Sequence, residues 1–349
     1  MTGFHLGFPS HSVADVHMSD WGDLAAEAER MGFDALWHSN ERFFRDMFVR
    51  MTVSATRTTS ITLGGAVADG YAANPALTAQ TLATVSELAD GRVTLAVGAG
   101  GSGLPMMGLS RSAVTETTRA AYESIAGLLA GETVTRQTAA FTLRAANLKI
   151  VPDQHLPLWI ASRGRRMLEM AGGAAEGVMI ASQASPAGLA RSLSHVLRGA
   201  AAHGRGDAAL RTMARVDTCV HTDAERAREG CRLMVAKLLW MSFPDRRFVT
   251  DAGLSVPEEL EEIIATRNYD ALEAVADLVP DSMIDTFCWA GTPDQLVDRV
   301  SAVLDEVEVT DIGFWLLRAP GQSLREALAL LAQTLTELRR RLSGPETAQ

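Results

Sequence analysis

The stretch ITLGGAVADGYAANPALTAQTLATVSELADGRVTLAVGAG, residues 61–100, decides the fold. Ile61 to Val67 is apolar and rich in β-branched residues, which reads as a strand. Ala76 to Ala89 carries its apolar residues at helical spacing and stops at Asp90-Gly91. Val93 to Gly98 is a strand again. Strand, helix and strand in succession form a βαβ unit, whose two strands run parallel.

The same alternation extends in both directions. Upstream, Phe4 to Phe8 is a strand, Trp21 to Met31 a helix ended by Gly32, Phe33 to Trp37 a strand and Phe48 to Arg57 a helix. Downstream, Thr115 to Ala130 is a helix. Strands at Pro157 to Ala161, Val178 to Ala181, Arg215 to His221 and Asp311 to Leu316 are each followed by a helix. Eight β/α units favour a closed (β/α)8 barrel of the α/β class over an open doubly wound sheet. The chain's 349 residues suit one such barrel, which takes about 250 residues and more with insertions. Two segments break the pattern: a hairpin at about 132–152 and a helical insertion at about 242–283, before the last barrel unit. Residues 1–342 are expected to form this single domain, and 343–349 a loose polar tail.

Composition narrows the function. The chain has 32 basic and 42 acidic residues, a net charge of −10. That balance argues against a general nucleic-acid or anionic-membrane binder. No apolar run reaches the roughly 20 residues of a transmembrane helix. The start of the chain lacks a secretory pattern. Three dispersed cysteines, Cys219, Cys231 and Cys288, make neither a disulfide framework nor a metal motif. A cytoplasmic protein without a metal follows as the expectation.

In a β/α barrel the chemistry sits just after the strands. Gly98-Ala99-Gly100-Gly101-Ser102-Gly103 lets a ligand approach the backbone closely. No helix opens directly behind it, which speaks against a dinucleotide fingerprint. A close approach to a flat cofactor is favoured over a merely flexible loop. Ser162-Arg163-Gly164-Arg165-Arg166 joins a strand to a helix, so free N–H groups, a serine and three arginines converge on an anion site. The alternative is an exposed basic turn. After the second strand, His38 to Asp46 gathers titratable and aromatic groups. Glu41 is the candidate general acid, with His38 or Asn40 as hydrogen-bond partner. Arg45-Asp46 reads as structural. No serine sits in G-x-S-x-G, so a hydrolase reading is weak.

With these residues in place, the chain resembles the luciferase-like flavin-dependent superfamily, and within it the coenzyme F420-dependent methylenetetrahydromethanopterin reductases. The resemblance runs through Leu63 to Val67, Tyr71, Asn74-Pro75 and Leu77 to Leu82. It continues through Gly91-Arg92, Leu95 to Gly100, Pro157 to Ala161 and Met167 to Gly172, with Trp37 and Arg45-Asp46 beside them. It implies a cofactor across the barrel mouth, its ring on a bulge at Ala66-Val67 that carries a cis peptide. It further implies a phosphate at Ser162 to Arg166 with Ser182 lining the same side, and a homodimer. The chain departs from the reductase pattern in two places. Asn40 and Glu41 stand where an Asp-His pair is usual, and Gly7 stands where a glutamate ends the first strand. The expected function is therefore an F420-dependent oxidoreductase acting on a small organic substrate other than the pterin. The rival readings are an FMN-dependent monooxygenase of the same superfamily and a ligand-binding barrel without turnover.

Overall fold

The computed structural model describes residues 2–101, 103–206 and 210–343. Ser102 and most of the expected loose tail, 344–349, lie outside the described residues. The strands are β1 (Gly3–Phe8), β2 (Ala35–Ser39), β3 (Thr62–Ala68), β4 (Val93–Val97), β5 (Val134–Gln137), β6 (Thr142–Ala146), β7 (Leu158–Ser162), β8 (Gly177–Ala181), β9 (Arg211–Val220), β10 (Cys288–Gly291) and β11 (Asp311–Leu317). Between and after them run α1 (Met18–Arg30), α2 (Met47–Ala55), α3 (Pro75–Leu88), α4 (Val114–Leu129), α5 (Arg165–Ala174), α6 (Pro186–Ala202), α7 (Ala224–Ser242), α8 (Arg247–Thr250), α9 (Glu258–Ala265), α10 (Asp281–Phe287), α11 (Pro293–Glu306) and α12 (Leu324–Leu342). The large sheet has the order β10-β9-β11-β1-β2-β3-β4-β7-β8, and β9 also pairs with β8. Eight of its nine strands, all but β10, therefore close into the (β/α)8 barrel expected from the sequence. The β5–β6 hairpin forms a separate antiparallel pair, and α8, α9 and α10 fill the helical insertion.

Two details depart from the sequence reading. A ninth short strand, β10, pairs in parallel with β9, Cys288 opposite Asp217 and Gly291 opposite Val220. Four residues are too few to show an alternation, so Cys-Trp-Ala-Gly reads as a loop before the capped helix that follows. β9 also begins at Arg211 rather than Arg215. Two arginines interrupt the apolar pattern there.

The contacts divide the chain into two units, one of 1–181, 192–213 and 310–313, the other of 182–191, 214–309 and 314–349. In the first, strand alternation separates an inner from an outer face. Trp37 is opposite Gly64, and Trp159 opposite Gly177, in neighbouring strands. A Cβ on either glycine would lie 2.4 Å from the facing indole. Gly65, one residue on, faces Met47 of α2 instead. The Trp37 Nε1–H donates to His5 Nδ1 at 2.9 Å, and His5 Nε2 lies 3.0 Å from Asp311 Oδ1. Arg211 Nη2 donates to the same Asp311 oxygen at 2.6 Å, its guanidinium 4.9 Å from the centre of the Trp159 ring. His5, Asp311 and Arg211 all stand at or near strand starts, so this layer closes the N-terminal end of the strands.

In the second unit, α7 packs its Val235, Leu238 and Leu239 in one apolar cluster with Leu260, Ile264, Met283, Ile284 and Phe287 of the insertion. The three cysteines, far apart in sequence, meet there. Cys219, Cys231 and Cys288 are buried and free, and hydrogen bonding of the protonated Cys231 thiol with Cys219 and Cys288, together with burial, pushes it well up. No helix among the described residues is long and apolar enough to cross a membrane.

Substituting Gly64→Ala or Gly177→Ala forces an indole to move, because backbone and ring cannot share the space. Each is expected to lose about 1–3 kcal/mol, the usual cost of overpacking a filled core. Denaturant unfolding of the two variants measures it. A loss below about 0.5 kcal/mol, the range of neutral surface changes, would show that the indoles do not rest on these glycines.

Candidate functional site

The residues after β2, β3 and β4 assemble at one end of the first unit. At the end of β3 the register with β4 slips between Ala66 and Ala68, which makes a bulge. The Ala66-Val67 peptide is cis. Asn40, just past β2, holds both carbonyls of this bulge. Its backbone N–H donates to Ala66 O at 2.7 Å, and its Nδ2 to Val67 O at 2.9 Å. Gly98 N donates to Ala68 O at 2.9 Å, and a Cβ on Gly98 would touch Val67 at 3.1 Å. Ala66, Val67, Gly98, Ala99 and Gly100 therefore form one backbone-rich surface. Gly100 adopts φ +79°, and a Cβ on Gly101 would meet nothing within 4 Å.

Two buried charges frame this surface, and the sequence reading singled out neither. Asp69 accepts the N–H groups of Tyr71 and Ala72 at 2.9 and 2.8 Å through one oxygen. Its other oxygen pairs with Arg42. The pair ties the loop after β2 to the loop after β3. Arg50, on α2, is buried below the same loop, donates to Ser39 O and sits 5.0 Å from the Trp21 ring centre. Burial lowers its guanidinium pKa to about 10, opposed by the carboxylates of Glu41 and Asp46. Glu41 itself is half-buried at the lip, between Asn40 and Arg42. Phe43, Phe44, Met106 and Met107 are all exposed on the loops after β2 and β4. Arg45 and Asp46 are structural: Arg45 binds Ala14 O at 3.0 Å, and Asp46 caps α2 through Val49 N.

His38 does not join this group. It points to the outer side of β2, fully buried. Its Nδ1 is 3.0 Å from Gly64 O and its Nε2 2.9 Å from Ser54 Oγ of α2. The sequence placed it beside Glu41, but strand alternation turns it away from the inner face that Trp37 occupies, while Asn40, past the end of β2, reaches the bulge. Burial, and then repulsion from Arg50, lower its pKa from 6.5 to about 3.

At the end of β7, Gly164 is the N-cap residue of α5, and no side chain caps the helix. Gly164 N donates to Ser162 Oγ at 3.1 Å, and a Cβ on Gly164 would meet nothing within 4 Å. With no side-chain cap, the first N–H groups of α5 are left for a ligand or water, which suits an anion. Arg165 and Arg166 are exposed and Arg163 half-buried. Arg165 folds back to Glu169 at 3.1 Å, where Arg198 also binds at 3.0 Å. Despite the opposing effect of desolvation, these two arginines hold the Glu169 carboxyl below its ordinary range. Ser182 belongs to the second unit; it is buried with φ +57°, and its N–H donates to Arg215 O at 2.9 Å. Among the described residues, no cluster of His, Cys, Asp or Glu is arranged to hold a metal ion.

The neutral state of His38 has a pH signature. The unfolded chain takes up a proton near pH 6.5 and the folded one only near 3, so the unfolded state binds more protons between these values. Stability therefore falls as pH drops below 6.5. Going from pH 7 to pH 5, this group should remove about 2 kcal/mol of unfolding free energy. His38→Gln, which keeps an amide for Gly64 O and Ser54, should lose that share of the pH dependence. Urea unfolding at both pH values compares the two proteins; parallel losses would refute the assignment.

Comparisons with known proteins agree with this geometry. The family model for luciferase-like monooxygenases matches residues 3–311. The chain is 30% identical over 289 residues to a 5,10-methylenetetrahydromethanopterin reductase of Methanolobus tindarius, covering 82% of this chain and 86% of that protein. It is 26% identical over 334 residues to an F420-dependent glucose-6-phosphate dehydrogenase of Rhodococcus erythropolis, covering 90% and 91%. In fold it is similar to the coenzyme F420 dependent tetrahydromethanopterin reductase from Methanopyrus kandleri. That match has a TM-score of 0.81 at 23% identity and covers 97% of this chain and 99% of that one. An F420-dependent secondary alcohol dehydrogenase follows with TM-score 0.79 at 19% identity, covering 97% and 99%. With its barrel, its bulge and these relatives taken together, the chain belongs to the luciferase-like monooxygenase family, and so to the oxidoreductases.

Proposed function

We propose that the chain, with residues 1–342 read as one domain, is an F420-dependent oxidoreductase acting on a small organic substrate. The observation that carries this reading is the pairing of two features in the first unit. One is the backbone-rich surface of Ala66-Val67 and Gly98 to Gly100, which opens beside Gly101; the other is the uncapped start of α5 with its arginines. A flat ring fits the first because the bulge and the glycine loop present backbone, and a Cβ on Gly101 would meet nothing within 4 Å. A phosphate fits the second, with Ser162, Arg163, Gly164, Arg165 and Arg166 around it. Three arginines also suit the longer acidic tail by which F420 differs from FMN. The F420-dependent glucose-6-phosphate dehydrogenases among its relatives support the same choice.

Bound F420 supplies hydride transfer at its C5. The chain's residues bind and orient. Asn40 keeps the bulge in place through two hydrogen bonds. Arg42 and Asp69 fix the lip. Glu41 is the proton donor in this reading, held in the lip by its neighbours. The exposed Phe43, Phe44, Met106 and Met107 give the loops an apolar face that suits an organic substrate and sheds water around it. The chain is read as a cytoplasmic homodimer, its three free thiols suiting a reducing compartment. The family model and the monooxygenases of the same fold favour, as a second reading, FMN and oxygen activation.

Titrating the protein with F420 and with FMN, followed by absorbance and fluorescence, separates the two. F420 should bind at least tenfold tighter; FMN binding as tightly, or tighter, would favour the monooxygenase. Arg163→Ala with Arg165→Ala should weaken F420 at least tenfold, since charge-assisted bonds contribute about 1.5–3 kcal/mol each, and wild-type binding should weaken with salt. Unchanged affinity would remove the phosphate from this loop. Glu41→Gln should lower kcat by about 100-fold or more with F420 affinity unchanged, as for loss of a general acid. An unaltered kcat would relieve Glu41 of that role.

A further inference from the structure

Phe43 stands in a backbone conformation that its side chain does not favour. The N–H of Phe44 donates to Glu41 O at 3.3 Å, closing a four-residue turn with Phe43 in third place. Within this turn φ is positive at Phe43, +67°, and not at Arg42. That is the pattern of a type II turn, whose third position favours glycine or asparagine because a larger side chain crowds the backbone. A bulky aromatic there is an outlier. Its neighbours hold the turn: Arg42 pairs with buried Asp69, Arg45 donates to Ala14 O at 3.0 Å, and Asp46 caps α2.

The ring of Phe43 adds little to folding, since the residue is 71% exposed. It rests on Gly103 of the loop after β4, where a Cβ would come 3.4 Å from Cε2 of the ring. Three residues further on that loop, in the short turn Pro105–Met107, Met106 is 73% exposed. Three residues before Gly103, Gly100 ends the backbone-rich surface, and a Cβ on it would lie 3.2 Å from Asp69. The ring therefore stands at the edge of that surface. Strained residues persist where the surroundings over-determine them, and they gather at functional sites. A glycine would make the same turn without strain. Phe43, Phe44, Met106 and Met107 together, edged by Glu41, Arg42, Arg45 and Asp46, match a ligand surface better than isolated surface residues. These four side chains offer no N–H or O–H, so a sugar or phosphate against them loses water without replacement. A flat apolar ring stacks on phenylalanine and packs against the adaptable methionine thioether.

We propose that Phe43 is a specificity-determining residue of the substrate site. The turn holds its ring out at the lip to receive a flat apolar group of the substrate, with Met106 on the adjoining loop. This rests on the reading of the chain as an oxidoreductase of small organic molecules. It narrows the substrate to compounds that bear an aromatic or other flat apolar ring, at the expense of sugar phosphates.

2-Naphthol, an uncharged aromatic alcohol at neutral pH, and glucose 6-phosphate test it. Their dissociation constants are measured by ligand-observed NMR on the full chain, with and without F420. Wild type should bind 2-naphthol about tenfold tighter or more. Phe43→Gly removes the ring and relaxes the turn. It should bind 2-naphthol about tenfold more weakly, with a melting temperature unchanged or raised by about 1–3 °C. Phe43→Trp restores a flat ring and should come within about threefold of wild type. Wild type binding 2-naphthol no tighter than glucose 6-phosphate would overturn the proposal, as would unchanged 2-naphthol affinity in Phe43→Gly. A lowered melting temperature in Phe43→Gly would assign the ring to the fold, and sedimentation showing that this variant turns a dimer into monomers would assign it to a subunit contact; either result overturns the proposal. Failure of F420 to bind would count against the cofactor alone, because the measurement without F420 stands by itself.

Discussion

Trp37 can lie where it does only because residue 64 has no side chain, and Trp159 only because residue 177 has none. Each indole fills the space that a Cβ of the neighbouring strand would occupy. That exchange lets two of the largest side chains enter the inner face of the first unit without spreading its strands. It also brings the Trp37 N–H to His5, and through His5 to Asp311 and Arg211. The inner layer is thus a joint product of shape and hydrogen bonding. A buried carboxylate there is acceptable because it is paired and bonded. Against desolvation, which would raise it, hydrogen bonding to His5, Thr310 and Arg211 keeps the Asp311 carboxyl below its ordinary range.

With the strand starts fixed in this way, the strand ends are free to carry irregular backbone. The bulge at Ala66 to Ala68 sits at the end of β3, two residues beyond Gly64. Asn40 reaches it because β2 and β3 are in register up to Ser39 and Ala66. Within β2, alternation sends Trp37 inward over Gly64 and His38 outward to Ser54. A slip of one residue would exchange these two. Asn40 stands two residues past His38 and beyond the end of the strand, so its turn to the bulge is set by the loop and not by strand parity. Arg42, Asp69 and Arg50 then place charges around the lip without exposing them, each paired with a backbone or a carboxylate.

The barrel was legible because its periodicity is strong and repeats eight times. Asp90-Gly91, Gly32 and Asn74-Pro75 mark ends that the structure keeps, Asn74 accepting from Ala76 N at the start of α3. The arginine loop after β7 stood out through its glycine and arginine spacing after a strand, whereas the bulge at Ala66-Val67 entered only through the family resemblance. β10 was not legible, since four residues carry no period. The Arg42–Asp69 pair was not either, because its partners come from different loops and only the fold makes them neighbours. His38 shows the limit of reading a cluster from sequence proximity alone.

The meeting of Cys219, Cys231 and Cys288 has a practical side. They come from β9, α7 and β10, and all are buried. A thiol in such a setting is protonated and shielded, so it reacts slowly with alkylating reagents. For a reagent to reach Cys231, α7 must lift from the two strands beneath it. The chain therefore carries its own clock for opening of the second unit. The rate at which its thiols are consumed in native buffer reports how often that helix leaves, independently of any ligand or spectroscopic label.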